Sequence, residues 1–287
     1  MVKVALEGVL CQETAEIFSF EVIVVDNDKS RSAESVVKEI ADKSNVHISY
    51  DCEPDQNIAL ARNRCLRNSS GTFIAFMDDD EAPDSKWLLN LLSTRDKFGG
   101  DGVLGPVRPI YTKGTPEWLR KSRLCERPSH KTGTVLNWPQ TRTGNVLFKR
   151  SILDGVEVPF APDRGRTGGE DIDFFRRMMA KNCKFVWCEE APVYELIEPQ
   201  RLRRAFYLNK ALRMGGLTGE LYRRAGLERW KCIWRSGYSA TFYILVAFIG
   251  LLLGQHIFMK GAVKLTYHFS RIGGCFGFVP VRERREM

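Results

Sequence analysis

The eleven residues from Gly71 to Glu81 (GTFIAFMDDDE) limit the fold more than any other part of the chain. A short run rich in aromatic and branched side chains reads as a strand buried on both faces. It stops at four consecutive acids, Asp78, Asp79, Asp80 and Glu81. In open α/β sheets ligands collect beyond the carboxyl ends of the strands, so this run predicts several carboxylates at the rim of a core. Carboxylates packed that closely repel one another. A divalent cation with oxygen ligands offsets the repulsion, which points to a metal and diphosphate site. The same residues also fit a plain Asp-rich turn, with Asp84 capping the helix that follows.

Upstream, Glu21-Val22-Ile23-Val24-Val25 is another apolar run ending in acids, at Asp26-Asn27-Asp28. Before it, Val4, Leu6, Val9 and Leu10 have roughly helical spacing. Ser32 to Lys43 and Ile58 to Asn68 read as helices, the second carrying Arg62 and Arg64, with a short strand at His47 to Tyr50 between them. This β-α-β-α-β order predicts parallel strands joined by right-handed crossovers, which brings Asp26 and Asp78 to one crevice. Asp84 to Phe98 reads as an amphipathic helix ended by Gly99-Gly100, and Val103 to Val107 as a strand. Residues 108–143 form a long loop broken by Pro109, Pro116, Pro128 and Pro139, with Trp118 and Trp138 available as platforms. A strand at Gly144 to Phe148 follows, then a Gly-rich turn from Asp163 to Gly169 that leads into a helix opening on Glu170-Asp171-Ile172-Asp173. Acids at a helix start complement its dipole, but Gly168-Gly169 lets backbone approach a ligand, which favours a site.

With 287 residues and 44% hydrophobic content, the chain can build a catalytic-size domain and an appendage, and it is not a disordered protein. The boundary is expected near Glu198: residues 1–198 form the α/β domain and residues 199–287 a basic helical region. Pro199 to Arg224 reads as a long helix interrupted at Gly215-Gly216. The formal charge of +8 gathers from Arg201 to Arg235 and again at Arg282, Arg284 and Arg285. Such a balance fits lipid head groups or nucleic acid as a partner, or a solvated basic face. Residues 237–254 are uncharged and at the lower limit for crossing a bilayer. Arg235 precedes them while Lys260, Lys264 and Arg271 follow, so a single span, an interfacial or shallow hairpin, and a buried helix all remain open. Eight cysteines without metal spacing read as reduced thiols of a cytoplasmic protein, and the scattered histidines at 47, 130, 256 and 268 argue against a zinc or serine-hydrolase site.

Six segments in order carry a resemblance: VVDND at 24–28, NIALARN at 57–63, FIAFMDDDE at 73–81, VLGPV at 103–107, TGN at 143–145 and GGEDIDFF at 168–175. From Glu21 to Gly215 the chain resembles the family 2 glycosyltransferases of GT-A fold, most closely the bacterial succinoglycan-type exopolysaccharide enzymes. The resemblance implies a mostly parallel, Rossmann-like sheet flanked by helices, with a nucleotide-diphospho-sugar donor and Mg²⁺ or Mn²⁺ as cofactor. It implies donor binding by Asp26, Asp28, Asp78 and Asp79, metal binding by Asp80 with Asp78, and catalysis by Glu170 and Asp171, with Asp171 as the base; Arg62 and Arg166 fit a diphosphate because guanidinium matches phosphate oxygens in forked geometry, and each equally fits a surface charge. One base without a covalent intermediate gives inversion. The expected acceptor is a lipid-linked oligosaccharide or glycan, and the expected location is the cytoplasmic face of the plasma membrane, peripheral or single-span, with no nucleic-acid partner. The family's first strand has no counterpart here, which leaves an inactive membrane-bound scaffold as an alternative. A nucleotidyl- or phosphotransferase using two metals is another.

Overall fold

The computed structural model describes residues 1–224, 226 and 228–280; Arg282, Arg284 and Arg285 lie outside the described residues. The chain divides into two units, Met1–Ile110 with Arg127–Leu196 and Tyr111–Glu126 with Ile197–Met287.

The first unit runs α1 (Val2–Leu10), β1 (Val22–Asp26), α2 (Glu34–Ala41), β2 (Ile48–Cys52), α3 (Ile58–Asn68), β3 (Phe73–Met77), β4 (Glu81–Pro83), α4 (Trp87–Phe98), β5 (Gly102–Leu104) and β6 (Val107–Ile110). The second unit contributes α5 (Glu117–Ser122), after which the first resumes with β7 (Asn145–Lys149), α6 (Glu170–Ala180), β8 (Phe185–Trp187) and β9 (Val193–Leu196). Three sheets result, ordered β1-β2, β3-β7-β5-β8 and β4-β9-β6. The pairs β1/β2, β5/β8 and β6/β9 are parallel, whereas β3/β7, β5/β7 and β4/β9 are antiparallel.

Of the central four-stranded sheet β5, β7 and β8 are buried on both faces, whereas the edge strand β3, expected to be, buries only Ile74 and exposes Ala75; strand periodicity sorts the side chains. Leu104, Val146, Phe148, Phe185 and Trp187 pack with Phe160, Phe174, Phe175 and Met178, while Val103, Leu147 and Val186 pack with Trp87, Leu88 and Leu91. Each fully buried side chain of this size stabilises the fold by about 1.5–3 kcal/mol.

Three local expectations change. The strand expected at Val103 to Val107 is broken into β5 and β6 at Gly105-Pro106, where Pro106 has no amide hydrogen to donate and its carbonyl accepts from Val193 N and Asn145 Nδ2. Asp84 lies two residues before the N-cap Lys86, and its carboxylate accepts from Lys86 N rather than capping α4. The run from Val22 to Met77 does not make one parallel sheet: β1 pairs with β2, but β3 pairs with β7. Between β1 and β3 lies a cavity of about 720 Å³, lined also by α1 and α3.

In the second unit, α7 (Arg204–Arg224), α8 (Arg229–Leu253) and α9 (Gln255–Cys275) follow α5. Leu119, Cys125, Ile197 and Tyr207 form a small core, and the Trp118 ring meets Tyr207 edge-on at 6.0 Å, so this tryptophan is a packing residue. α7 runs unbroken through Gly215-Gly216. These glycines open room for a neighbour instead of breaking the helix: a Cβ on Gly215 would lie 2.3 Å from the Tyr267 carbonyl, and one on Gly219 2.1 Å from that of Arg271.

Candidate active site

The site is built at the carboxyl end of β3. Antiparallel pairing sets Met77 opposite Asn145, a buried amide that accepts from Trp87 Nε1 at 2.8 Å and donates to the carbonyls of Pro106 and Ala191. With the strand end fixed, Asp78 to Glu81 form a tight turn in which Glu81 N donates to Asp78 O and Glu81 Oε2 accepts from Asp78 N. Asp78, Asp80 and Glu81 each present an oxygen within 4.8 Å of the others.

These acids are frustrated. Burial, with Asp78 adding to it, pushes Glu81 up to about 9; burial and Glu195 push Asp80 up to about 6, and burial raises Asp79 as well. Glu81 Oε1 is buried with no hydrogen-bond partner, its nearest opposite charge being Arg127 at 3.8 Å. The approach to the cluster is kept open by Gly144, where a Cβ would sit 2.9 Å from Asp78 Oδ2 and 3.1 Å from Glu81 Oε1. Oxygen-bound divalent cations take ligands at about 2.0–2.6 Å, so carboxylates this closely grouped and this poorly satisfied suit one.

The second wall comes from α3 and α6. Asn57 caps α3, its Oδ1 accepting from Ala59 N and Leu60 N, while its own N donates to Asn27 Oδ1 and its Nδ2 to Pro162 O. One residue thereby joins the end of β1, the start of α3 and the loop before α6. Gly165 is required there, because a Cβ would fall 1.6 Å from Asn57 Oδ1. Asn63 continues the strap by exchanging hydrogen bonds with the Phe160 backbone. The loop then turns at Gly168 and Gly169, at φ 88° and 94°, and α6 begins on Glu170.

Arg62 links the two walls. Its guanidinium lies 2.5 Å from Glu170 Oε1 and 3.6 Å from Asp78 Oδ1, and its side chain is 11% exposed. Burial raises Glu170, the charge of Arg62 opposes this and the charge of Asp171 adds to it; Glu170 Oε2 is buried without a partner. Asp171 is half-buried, with Oδ1 accepting from its neighbour Ile172 N.

The structure therefore brings Arg62, Asp78 and Glu170 into direct contact, with Asp80 and Asp171 beside them. Asp26 and Asp79 line the same cavity between β1 and β3 as Arg62 and Asp78. Asp26 is already engaged: its carboxylate accepts from Asp28 N, Ala33 N and Tyr50 Oη. Asp28 turns to Ser30, accepting from both its N and its Oγ. Asp173 is structural, since burial works to raise its pKa but hydrogen bonds from Arg177 and Arg176 outweigh it and the net shift is downward. Arg166 pairs with Asp55 on the surface.

The sequence pattern pointed to Arg62 but not to two other cations of the site. Arg127 lies 3.8 Å from Glu81 and 3.3 Å from Glu195, two acids that face each other across the β4/β9 ladder. Arg142 is buried enough to be pushed down to about 10, with the like charge of Arg127 adding to the shift and Asp171, Glu81 and Glu195 opposing it. An available signal was Glu195, a charge inside the apolar strand Val193–Leu196; a buried acid of that kind needs a cation from elsewhere in the fold.

The chain is similar to known proteins in sequence and in fold. The sequence model for Glycosyl transferase family 2 matches residues 1–156. The succinoglycan biosynthesis protein ExoM of Rhizobium meliloti (strain 1021) is 34% identical over 249 residues, 84% of this chain and 79% of that protein. Glycosyltransferase AglE of Haloferax volcanii is 33% identical over 159 residues, 55% of this chain and half of AglE. Among solved structures, S. aureus TarS 1–349 in complex with UDP-GlcNAc superposes with a TM-score of 0.53 at 14% identity, covering 96% of this chain and 88% of that one, a likeness of fold. The family match over residues 1–156, the 34% identity to ExoM and the GT-A fold make this chain a member of glycosyl transferase family 2, and so a glycosyltransferase.

Proposed function

We propose that the chain transfers a sugar from a nucleotide diphospho-sugar to a hydroxyl of a lipid-linked oligosaccharide or growing glycan, with inversion, at the cytoplasmic face of the plasma membrane. The observation that carries this reading is the Arg62 bridge from Asp78 to Glu170, beside a group of three carboxylates within 4.8 Å. Asp78, Asp80 and Glu81 would hold Mg²⁺ or Mn²⁺; the unpartnered Glu81 Oε1 and the space left by Gly144 support the fit. When bound, such an ion supplies positive charge for the departing diphosphate. Arg62 matches phosphate oxygens in forked geometry, Asp26, Asp28 and Asp79 serve the nucleotide end, and Asp171 takes the proton of the attacking hydroxyl. Glu170, fixed by Arg62, keeps the start of α6 and hence Asp171 in position.

The UDP-GlcNAc complex of TarS supports a nucleotide-sugar donor, and the role of ExoM in succinoglycan biosynthesis supports an exopolysaccharide acceptor. The exposed apolar face of α8 supports the membrane location. Titration calorimetry with UDP- and GDP-sugars in the presence of Mn²⁺ tests the donor, and absence of binding to every nucleotide sugar refutes it. Product analysis tests the reaction: a nucleoside diphosphate is expected, whereas pyrophosphate or phosphate marks nucleotidyl or phosphoryl transfer. The alternative reading, a membrane-bound scaffold of the same fold without turnover, follows from the absence of a counterpart to the family's first strand ahead of β1 among the described residues. Turnover that disappears in Asp171→Asn excludes it.

A further inference from the structure

We infer that α8 does not cross the bilayer but lies along its surface, so that the protein enters one leaflet only; this rests on the membrane reading above. By length and composition α8 passes as a span, and only 17% of its most apolar window is buried. Six of its exposed residues, Trp234, Tyr238, Phe242, Leu245, Phe248 and Leu252, recur at intervals of three and four and so share a face along the helix, which Ile244 and Leu251 flank on one side. At about 1.5 Å per residue this stripe is roughly 27 Å long.

What forbids a span is the company the helix keeps. After Gly254, at φ 120°, the chain reverses and α9 returns along α8. A Cβ on Gly250 would lie 2.2 Å from Phe258 N, and one on Gly261 2.5 Å from Ala247 N. Tyr243 stacks on His268 at 5.7 Å, and Cys232 Sγ lies 3.6 Å from Cys275 Sγ, so the two helices are antiparallel throughout. Lys264 therefore sits level with the middle of the uncharged stretch, between the Ala247/Gly261 and Tyr243/His268 contacts. Both Lys260 and Lys264 are exposed. A spanning α8 would carry Lys264 to the bilayer midplane, where ionised side chains are strongly disfavoured. The end of α8 is polar as well: Arg204, the first residue of α7, donates to Gln255 just past the turn.

Laid flat, the same helix keeps Lys264 out of the bilayer interior. The aromatic and aliphatic stripe enters the head-group and acyl boundary, and the lysines of α9 remain in water. α8 begins with the exposed Arg229, Lys231 and Arg235, and no acid occurs from Arg229 to Cys275, so the lipid it meets is anionic.

The test uses the full chain with vesicles of phosphatidylglycerol and phosphatidylcholine. A fluorophore is attached at Tyr238→Cys, Leu245→Cys or Leu252→Cys, with the native cysteines that react replaced, and is quenched by lipids spin-labelled at increasing depth. Flotation with the vesicles and the same shallow depth at all three positions is the expected result. Depth that changes steadily from position 238 to 252 overturns the flat orientation and leaves the membrane reading standing. Failure to float overturns both.

Discussion

β1 and β3 carry the same signature in sequence, an apolar strand that runs into acids, yet the fold treats the two ends oppositely. At β1 nearby amides and hydroxyls supply the partners: Asp26 receives two amide hydrogens and the Tyr50 hydroxyl, and Asp28 receives the amide and hydroxyl of Ser30. At β3 the acids have mainly each other, and Glu81 is buried with one oxygen unpartnered. Carboxylates satisfied by their own chain shape a pocket. Those left unsatisfied in a low-dielectric rim carry a free-energy cost that a cation removes, so the second kind is the better marker of a ligand. The contrast between Asp173, held by two arginines, and Asp171 at the same helix start repeats the lesson.

This contrast can be broken by substitution. The largest effect is expected for Asp80→Ala, which should abolish Mn²⁺-dependent donor binding in calorimetry while the metal-free protein melts no lower than wild type. Wild-type affinity would remove the β3 acids from the site. Next, Asp171→Asn should lower turnover by about 10²–10⁴-fold with donor affinity unchanged, the range for loss of a positioned base. A matching loss of donor affinity would move Asp171 from the acceptor to the donor side.

The pH dependence of stability separates the two strand ends further. Asp80 and Glu81 are pushed up to about 6 and about 9, so each binds its proton more tightly folded than unfolded. Their contribution is complete below the ordinary carboxylate range and is lost as pH rises through 6 and then 9. Melting of the metal-free protein should therefore fall across that window, Mn²⁺ should restore it at pH 8, and Glu81→Gln should flatten the slope. A flat wild-type profile would show that the cluster is not frustrated. The smallest effect is expected at β1: Asp26→Ala removes acceptors from three donors and should cost about 1–3 kcal/mol in denaturant unfolding. If it leaves stability intact while removing donor binding, the distinction between the two ends is wrong.

Much of the architecture was legible because it is local. Apolar runs of strand length and the Gly-Gly entry to α6 are written in neighbouring residues. Legibility failed where pairing is distant. That β3 bonds to β7, and that α7 continues through its glycines, depends on strands and helices many residues away. Arg142 carried no local pattern, because its meaning comes from Asp171, Glu81 and Glu195, which approach it only in the folded chain.

The sequence by itself determined the family, the acidic segments and the first helices and strands as far as Met77, since these rest on composition and short-range spacing. Tertiary structure alone decided which acids are satisfied and which are not, and that α8 is doubled back upon by α9 instead of standing free. The physical reason is the same in both cases: the free energy of a buried charge or an apolar helix is set by what packs against it, and that neighbour is supplied by a remote part of the chain.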